Sequence, residues 1–591
     1  MRDNIGSAPS PPVETRPRLV RERTWLIVGV VLGLCLSTVG VTHFSPSRPT
    51  APAGSAAESS SSIPLGVGTN YPTYLFDDDR TDNVGAEGPI NASDAHNLQL
   101  LWSHATGGAV WAQPIVVDGI VYVGSSDGYE YALYATNGTL LWKTFLGIDA
   151  TGPNCSRHPG VTSTATFDSG RLYVSAGNAT FYAVNATTGR VVWDLPIGGP
   201  NANAGGVYLW ASPLIYNQSA YVGISSQCDE PLVPAGLERV SLQTHSEIAY
   251  FNSSVPDPNG SSIWGSPSLN EATNTIYVTT GEPYGQIPSS KYSESIVALN
   301  ASTLSVVASW QVPAAEAIYD GDFGVTPTLF DVAHGVGVVA AENKNGYLYE
   351  WYQSNLSLVW QDDLTPTTTL DYADHFSTSY ANGTLYAVGE NLTIGRHTYK
   401  SSITAIDPAD GAYLWQVGTN STSAGDYAPP LYDNGVLVVP IGTTLYLLKA
   451  ATGKILYEHA LSGESTPPAS VSRGEVFVGS GDNVTAFDLA LHLQATRSTQ
   501  SGPAPLTVNF TARATGGVPA YVYNWSFGDG THSSSQDPTK VFTMPGKYSV
   551  RLTVRDVTGV AVAASFTITV TAPDRGPPGR PRQSPKRSAL G

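Results

Sequence analysis

Short runs of alternating apolar and polar residues, separated by glycine-containing turns, recur along most of the chain. The clearest example reads PIVVDGIVYVGSSDGYEYALYATNGTLLW over residues 114–142. Asp-Gly and Asn-Gly pairs are typical of tight hairpin turns, because these residues tolerate positive φ angles. Alternation with a period of two is typical of half-buried strands. A second copy of the pattern occupies residues 164–193. The chain is therefore predicted to be all-β and rich in antiparallel hairpins.

An aromatic residue marks the end of most repeats, at intervals of 40 to 59 residues. A period of this length, with about four strands per unit, is typical of a β-propeller. We count eight units and predict an eight-bladed β-propeller over residues 71–490. The early strand Leu98–His104 is expected to join the last blade, because ring closure removes exposed sheet edges. The repeat ends are Trp102, Trp142, Trp193, the degenerate Phe251, Trp310, Trp360 and Trp415.

Charge and cysteine content exclude several classes of function. The 591-residue chain has a formal net charge of −18 and contains three cysteines. Nucleic acid is not expected as a partner, since its phosphates would be repelled. Neither a zinc cluster nor a CxxCH haem site can be built from these cysteines. The acidic run Asp77–Asp79 lacks the spacing of a calcium loop and is expected to form an exposed turn.

The N-terminal segment predicts a membrane anchor. Residues 1–24 form a polar tail that ends in a cluster of arginines, and residues 25–44 carry no charge. This stretch is just long enough to cross a bilayer as a helix, and the arginines would keep the tail in the cytoplasm. A cleaved signal peptide is the alternative. Either way, the Ser/Pro-rich linker 45–70 and everything after it would lie outside the cell membrane.

Sixteen N-x-S/T sequons all follow the predicted anchor. Such sequons are acceptors for N-glycosylation in exported proteins. Because Asn, Ser and Thr also favour β-turns, the enrichment is open to a purely compositional explanation. We predict a glycosylated surface, with extracellular protein or glycan as partner. The preferred candidates are Asn91, Asn137, Asn178, Asn185, Asn217, Asn300, Asn382 and Asn483.

A second module occupies residues 492–571. Short alternating strands with frequent turn signals predict an antiparallel sandwich. The segments YVYNWSFGDG (521–530) and KVFTMPGKYSVRLTVRD (540–556) closely resemble a PKD domain, which implies an immunoglobulin-like fold. Ser526 replaces the first Asp of that family's W-D-F-G-D-G motif. The final residues, 572–591, are basic and Pro-rich and are predicted to be disordered.

The repeats in 71–490 resemble the PQQ-type propeller repeats of quinoprotein alcohol dehydrogenases. The stretches IWGSP, VTTGEP, SESIVALN and ENKNG follow that family's order, and YVGISSQ is similar to its polyvinyl-alcohol-dehydrogenase branch. By this resemblance, Trp264 would form the floor under the quinone PQQ and Lys344 would hold the quinone oxygens. Glu282 stands where the family has a calcium-binding Asn, and a carboxylate is a donor that calcium accepts. At all three positions, a structural or surface role is the alternative.

The resemblance is incomplete at the reacting centre. An ungapped match places Ser289 where the family has its general-base Asp, and the family's adjacent pair of cysteines is absent. Serine cannot act as the carboxylate that accepts the alcohol proton. A dehydrogenase would need Asp320, Asp322 or Glu294 to substitute. No catalytic residue is therefore assigned from the sequence, and PQQ and calcium are not favoured as cofactors.

Two cysteines follow the predicted anchor. Cys155 and Cys228 lie in consecutive predicted blades. An oxidising compartment favours a disulfide between them, and two free thiols are the alternative.

Two functions remain open. The preferred interpretation is a non-enzymatic, membrane-anchored surface protein whose propeller and PKD domain serve adhesion, binding or envelope scaffolding. It rests on the anchor, the sequons and the absent base. The alternative is a membrane-anchored alcohol dehydrogenase that depends on PQQ and calcium, which rests on Trp264, Lys344 and Glu282.

Overall fold

The structure of the chain is a computed structural model. It describes residues 70–85, 90–149, 160–199, 205–227, 231–283, 290–318, 320–364, 377–390, 392–419, 428–517, 520–556 and 559–573. The predicted anchor, nearly all of the linker and most of the basic tail lie outside these residues. Within these ranges, no helix has the length and hydropathy needed to span a membrane.

The described residues up to Leu489 form eight sheets of four or five strands and one two-stranded ribbon. The all-β prediction is confirmed for this part of the chain. Two strands, β1 (Asn83–Gly85) and β2 (Leu98–Ala105), precede the first complete sheet, with one 3-10 turn at Ala95–Asn97 between them. Sheet I contains β3 (Ile115–Val117), β4 (Ile120–Gly124), β5 (Tyr129–Tyr134) and β6 (Leu140–Phe145). Sheet II contains β7 (Thr166–Asp168), β8 (Arg171–Ala176), β9 (Thr180–Asn185) and β10 (Val191–Pro196).

The middle sheets follow the same order. Sheet III contains β11 (Val207–Tyr208), β12 (Leu214–Tyr216), β13 (Ser219–Ser226), β14 (Gly236–Ser241) and β15 (Ser246–Asn252). Sheet IV contains β16 (Ser268–Asn270), β17 (Thr275–Thr279), β18 (Ser295–Asn300) and β19 (Val306–Gln311). Sheet V contains β20 (Thr328–Val332), β21 (Val336–Glu342), β22 (Tyr347–Tyr352) and β23 (Leu358–Asp363).

The last three sheets include one irregular ribbon and both early strands. Sheet VI contains β24 (Ser379–Ala381), β25 (Thr384–Glu390), β28 (Ser401–Asp407) and β29 (Ala412–Thr419), with the ribbon β26 (Thr393–Ile394) and β27 (His397–Thr398) beside it. Sheet VII joins β1 to β30 (Leu431–Asp433), β31 (Val436–Lys449) and β32 (Lys454–Ser465). Sheet VIII joins β2 to β33 (Ser470–Ser472), β34 (Glu475–Ser480) and β35 (Asn483–Leu489).

Strand β2 closes the arrangement. It pairs antiparallel with β35 from Leu98 opposite Leu489 to Ala105 opposite Asn483. An early strand, β2, thus completes the last sheet, as predicted for Leu98–His104. Closure of this kind covers a strand edge that would otherwise be exposed, and the sheets together form a propeller-like fold.

Hydroxyl groups link the innermost ends of neighbouring sheets in a directional series, which we call the hydroxyl ring. In each step, a backbone N–H two residues before the innermost strand donates to the hydroxyl of the equivalent residue in the next sheet. From sheet I to sheet VI, the donor N–H and the acceptor hydroxyl of the five steps are Gln113 and Thr164 (2.8 Å), Thr164 and Ser212 (3.0 Å), Ser212 and Ser266 (2.9 Å), Ser266 and Thr326 (2.9 Å), and Thr326 and Ser377 (3.1 Å). Pro429 and Pro468 occupy the equivalent positions in sheets VII and VIII. Proline offers neither the N–H nor the hydroxyl, so the series is interrupted there.

Four of the repeated tryptophans, Trp102, Trp142, Trp360 and Trp415, donate from the indole to a backbone carbonyl in the turn of the following sheet. The indole Nε1 of Trp142 donates to the carbonyl of Ala186 at 2.9 Å, and Trp102 does the same to Ala135 at 2.6 Å. Gly189 has a positive φ of 71°, and a Cβ there would lie 2.6 Å from the Trp142 ring. The turn therefore requires glycine both for its backbone angle and for the close approach of the indole.

Trp142→Ala is expected to destabilise the fold by about 3 kcal/mol or more, since it removes a docked aromatic side chain and its hydrogen bond. Chemical denaturation followed by circular dichroism measures the loss. Leu141→Ala is the matched control, because Leu141 is 36% exposed on the same strand. Equal effects of the two substitutions would show that the docked indole does not hold the sheets together.

The segment 71–85, here called the leader, runs along the innermost strands. Backbone N–H groups of Leu269, Leu329 and Tyr380 donate to its carbonyls at 2.8–2.9 Å, so sheets IV, V and VI all bind it. Arg80 is fully buried, and its guanidinium donates to the Pro267 carbonyl at 3.2 Å and to the Thr73 hydroxyl at 3.1 Å. The expected exposed turn at Asp77–Asp79 is therefore wrong for most of this run. Only Asp79 is exposed, because backbone bonding holds the leader against the sheets.

Residues after His492 form a two-sheet sandwich with its own core. One sheet contains β36 (His492–Arg497), β38 (Leu506–Thr515) and β41 (Thr539–Phe542). The other contains β37 (Ser501–Pro503), β39 (Val522–Ser526), β40 (His532–Ser533), β42 (Gly546–Arg555) and β43 (Ala561–Thr571). Trp525 and Phe527 are buried on the inner face beside Phe510, as the period-two pattern predicts.

Candidate functional site

The residues singled out by the resemblance meet where sheets IV and V adjoin. Trp264 lies just before the innermost strand of sheet IV, and Glu282 follows its second strand. Lys344 lies in the corresponding turn of sheet V, between β21 and β22. Equivalent connections in neighbouring sheets lie at the same end of the fold, which is why residues 80 positions apart come into contact.

Lys344 is the centre of the site. Its ammonium lies 2.9 Å from Oδ1 of Asp320 and 2.9 Å from Oδ2 of Asp322. The same nitrogen lies 5.3 Å from the centroid of the Trp264 ring, within the range of a cation–π contact. The Lys344 side chain is only 11% exposed. The charge is therefore held in a fixed place over an aromatic face, and a surface turn would not hold it so.

Backbone contacts fix the Asp-Gly-Asp turn of residues 320–322 against both sheets. The Glu282 N–H donates to Oδ1 of Asp322, and the Lys344 N–H donates to the Asp322 carbonyl at 3.0 Å. A Cβ at Gly281 would lie 2.5 Å from that carboxylate and 3.4 Å from the indole nitrogen of Trp264. Only glycine at 281 leaves room for both groups.

A further carboxyl group, Glu294, is buried beside this turn. Glu294 is 1% exposed, and an ideal Cβ on Gly321 would lie 3.2 Å from its Oε2. Burial, and secondly the Asp322 charge, raise the pKa of Glu294 to about 7. Burial and Asp322 also raise the pKa of Asp320 to about 6, although Lys344 opposes the shift. The site thus contains carboxyl groups that change charge near neutral pH.

Several predicted residues cannot be placed. Ser289, Cys155 and Cys228 lie outside the described residues, so the missing base and the disulfide stay predictions. Among the residues that are described, no three His, Cys, Asp or Glu side chains are arranged to hold a metal ion. The calcium role of Glu282 therefore also stays a prediction.

The sequons occupy turns with different demands on the asparagine. At Asn185 and Asn300 the side-chain oxygen accepts backbone N–H groups two or three residues on, at 2.9–3.1 Å. Asp407 makes the same contact at the equivalent turn of sheet VI. Turn chemistry alone therefore accounts for these two asparagines.

The remaining glycosylation candidates fall into two groups. The Asn178 amide donates to the Leu146 carbonyl at 2.9 Å and the Tyr182 hydroxyl at 2.8 Å, so a glycan there would have to displace a bond. Asn91 and Asn483 donate to neighbouring aspartates, Asp94 and Asp482. The exposed candidates are Asn137, Asn217 and Asn382. Of these, the Asn137 oxygen accepts the Thr139 N–H at 2.9 Å, and the Asn382 amide donates to the Tyr432 hydroxyl at 2.6 Å. Glycosylation stays a prediction for all of them.

Sequence reasoning found Trp264, Lys344 and the three substitute carboxyls, but it missed the ion pairs that join them. Asp320 and Asp322 precede β20 and Lys344 follows β21, so their spacing in the sequence does not predict the ion pairs. The D-x-D pattern next to the KNG turn of the same sheet is the signal that could have found it.

Family models match the chain in three parts. A PKD domain model matches residues 491–571. The model described as outer membrane protein assembly factor BamB matches residues 66–209 and 399–518. The model described as glucose/ethanol/alcohol dehydrogenase, beta-propeller domain, matches residues 243–351, which include the site around Lys344.

Individual relatives agree with these models. The chain is 23% identical over 473 residues to a polyvinylalcohol dehydrogenase of Sphingopyxis sp. (strain 113P3), covering 70% of this chain and 71% of the relative. It is 26% identical over 251 residues to a quinohemoprotein alcohol dehydrogenase of Comamonas testosteroni, covering 36% and 35%.

Solved structures show the same fold. The crystal structure of the quinohemoprotein alcohol dehydrogenase from Comamonas testosteroni matches with a TM-score of 0.60 at 18% identity, over 71% of this chain and 80% of that one. A europium-containing methanol dehydrogenase matches with a TM-score of 0.57 at 15% identity, over 70% and 90%. Together with the matched repeats, these likenesses confirm the resemblance seen in the sequence: the chain contains PQQ-type β-propeller repeats and a PKD domain at its C-terminus.

Proposed function

We propose that this protein binds a PQQ-type quinone at the junction of sheets IV and V and oxidises an alcohol there. The observation that carries the proposal is the Trp264–Lys344 pair, in which a buried cation lies 5.3 Å from an indole centroid. The proposal extends to an eight-bladed ring in which each of the eight sheets is one blade. The alcohol-dehydrogenase interpretation, ranked second from the sequence, now fits better, since the relatives and the site both point to it.

The residues present fit the quinone better than they fit calcium. PQQ is a planar, anionic ring system, so an aromatic face beside a fixed ammonium suits it. Lys344 would bind its oxygens and Trp264 would support its ring. When bound, the quinone supplies the acceptor for the two electrons of a C–H bond. For calcium, the described residues offer no set of three His, Cys, Asp or Glu donors, so no role is derived for it.

The carboxylates around Lys344 affect quinone binding in two opposite ways. Asp320 and Asp322 hold the ammonium in place before the ligand arrives, which limits the ordering that binding requires. They also compete with an anionic ligand for the same cation. Protonation of Asp320, whose pKa is raised to about 6, removes part of that competition, so quinone binding is expected to tighten on mild acidification.

We also propose where this activity takes place and on which kind of alcohol. The predicted anchor at 25–44 would place the propeller and the PKD domain outside the cell membrane, where a polymeric alcohol is accessible. The relatives named polyvinylalcohol dehydrogenase make such a polymer a reasonable test substrate. The adhesive or scaffolding role rests on the predicted anchor, the sequons, the PKD domain and the base missing at residue 289, and none of these features accounts for the buried Lys344–Trp264 contact.

Lys344→Ala is expected to weaken PQQ binding at least tenfold, because it removes about 1.4 kcal/mol or more of charge-assisted bonding. Quenching of tryptophan fluorescence by PQQ measures binding, and PQQ-dependent reduction of an artificial dye in the presence of polyvinyl alcohol or a small alcohol measures turnover. Lys449→Ala is the matched control, since Lys449 is exposed in sheet VII.

Unfolding must be separated from lost binding. Thermal melting of the Lys344→Ala variant tests whether the unpaired Asp320 and Asp322 disturb the fold, and Trp264→Phe supplies a second variant that keeps the ion pairs. Failure of the wild-type protein to bind PQQ at about 100 μM, with or without added calcium, would overturn the proposed function.

A further inference from the structure

Of the three carboxyl groups Asp320, Asp322 and Glu294, Glu294 is the one that is not used to hold Lys344. Asp320 and Asp322 each accept a bond from the ammonium, and Asp322 also accepts the Glu282 N–H. Glu294 makes neither contact. Its Oε2 is buried and has no hydrogen-bond partner among the residues that the structure describes. An unpartnered buried oxygen is costly unless a proton, a water molecule or a ligand satisfies it.

The backbone holds Glu294 in an uncommon conformation. Its φ is +42°, in the left-handed region that non-glycine residues rarely adopt. The Glu294 N–H donates to the Gly281 carbonyl at 2.9 Å, and its own carbonyl accepts the Val312 N–H at 3.0 Å. Asp320 likewise has a φ of +58°. Backbone strain of this kind persists where surrounding contacts enforce it, and it clusters at functional sites.

The position of Oε2 relates Glu294 to the rest of the site. It packs on Gly321, between the two aspartates that fix Lys344, and a side chain at 321 would crowd it at 3.2 Å. Glycine at 321 thus keeps the carboxyl group close to the turn that holds the ammonium. The charged groups beside Glu294 are Asp322 and, through it, Asp320 and Lys344, while Lys291 on its own loop is exposed.

We propose that Glu294 is the proton acceptor of the alcohol oxidation, in place of the carboxylate that the resemblance would require at Ser289. The inference rests on the proposed function. The proton of the substrate O–H bond would pass to Glu294 Oε2. A quinone held by Lys344 and Trp264 would supply the acceptor for the hydrogen and the electron pair of the adjacent C–H bond. The C–O bond thereby becomes a carbonyl, and the proton and the electron pair are both accounted for.

The alternatives among the described carboxyls are less suited. Protonating Asp320 or Asp322 would release one of the two bonds that hold the Lys344 ammonium, so each turnover would loosen the cation. Glu294 can take up and lose a proton without changing those bonds. A pKa of about 7 also suits a general base that works near neutral pH.

The test compares Glu294→Gln with the wild type and with Glu130→Gln, which changes a fully buried carboxyl of sheet I. We expect Glu294→Gln to leave PQQ quenching of tryptophan fluorescence within about twofold and to lower dye reduction by about 100-fold or more. In the wild type, dye reduction should rise with pH around 7, and this dependence should be absent from the residual rate of Glu294→Gln. Glu130→Gln should keep the wild-type rate and pH profile.

A spectroscopic measurement gives a readout independent of turnover. The infrared difference between pH 5 and pH 8.5 should contain a protonated carboxylic C=O band that Glu294→Gln removes. PQQ binding and turnover by the wild type, with Glu294→Gln keeping more than about one third of the rate or the same pH profile, would overturn the inference alone. No PQQ binding by the wild type would overturn the proposed function together with it.

Discussion

A chain that lacks residues 71–105 is expected to lose the cooperative thermal unfolding of its propeller. This deletion removes β2, which pairs with β35 along its whole length, and β1, which pairs with β30. It also removes the leader, whose carbonyls accept backbone N–H groups from sheets IV, V and VI. Two sheets would expose unpaired strands, and unpaired strands promote aggregation.

Circular dichroism melting and size-exclusion chromatography measure this outcome. The matched control is a deletion of residues 574–591, the basic tail that the sequence predicts to be disordered. We expect an aggregated or molten product from the first deletion and an unchanged transition from the second. A folded monomer whose midpoint lies within about 5 °C of the full chain would show that the early strands are dispensable.

Acidification from pH 8 to pH 5 is expected to stabilise the fold. Burial raises the pKa of Glu130 and Glu350 to about 8 and the pKa of Glu475 to about 7. These carboxyls keep their protons in the folded state at pH values where the unfolded chain has lost them. The stability they contribute is fully present below their ordinary pKa, near 4, and is lost as pH rises toward 8.

Other charged groups also contribute to the dependence of stability on pH. The net charge of −18 adds self-repulsion that also weakens as pH falls. Burial raises the pKa of Asp529, but its bonds to Lys540 and Thr531 together outweigh burial and lower that pKa to about 2, so Asp529 acts in the opposite direction but only at much lower pH. We expect the melting midpoint to rise by ~5–10 °C between pH 8 and pH 5.

Glu130→Gln isolates one contribution. Among the described residues, neither oxygen of Glu130 has a hydrogen-bond partner, and both are buried. The amide variant should therefore melt higher than the wild type at pH 8 and at nearly the same temperature at pH 5. Scanning calorimetry over this range measures the difference. A midpoint that falls steadily on acidification would contradict the prediction.

The fold was largely predictable because its information is local and repeated. Asp-Gly and Asn-Gly turns, period-two strands and spaced tryptophans each act within about 60 residues, and the structure has the predicted sheets. The leader was not predictable in the same way. Asp77–Asp79 reads as a solvated surface turn, and only the three-dimensional fold shows that backbone N–H groups from distant sheets bind it and that Arg80 is buried.

The candidate site was predictable as a set of residue types and not as an arrangement. Trp264 and Lys344 were identified by resemblance, and their contact follows from adjacent sheets. The different roles of the three carboxyls depend on which of them reaches the Lys344 ammonium. Asp320 and Asp322 do so, and no residue pattern specifies this arrangement. The membrane anchor, the disulfide and the glycans remain predictions.

The hydroxyl ring affects how the number of sheets in a protein of this fold can change during evolution. Sheets I to VI are joined by the same kind of contact, in which a backbone N–H of one sheet donates to a hydroxyl of the next. Each of these sheets has the N–H, and each after the first has the hydroxyl. A sheet of this kind could be duplicated or lost by recombination, and its neighbours would still find matching partners. Pro429 and Pro468 remove that compatibility from sheets VII and VIII, which also contain the two early strands. We therefore expect whole sheets to be gained or lost only among sheets I to VI. Sheets VII and VIII, which incorporate the early strands β1 and β2, are expected to be kept.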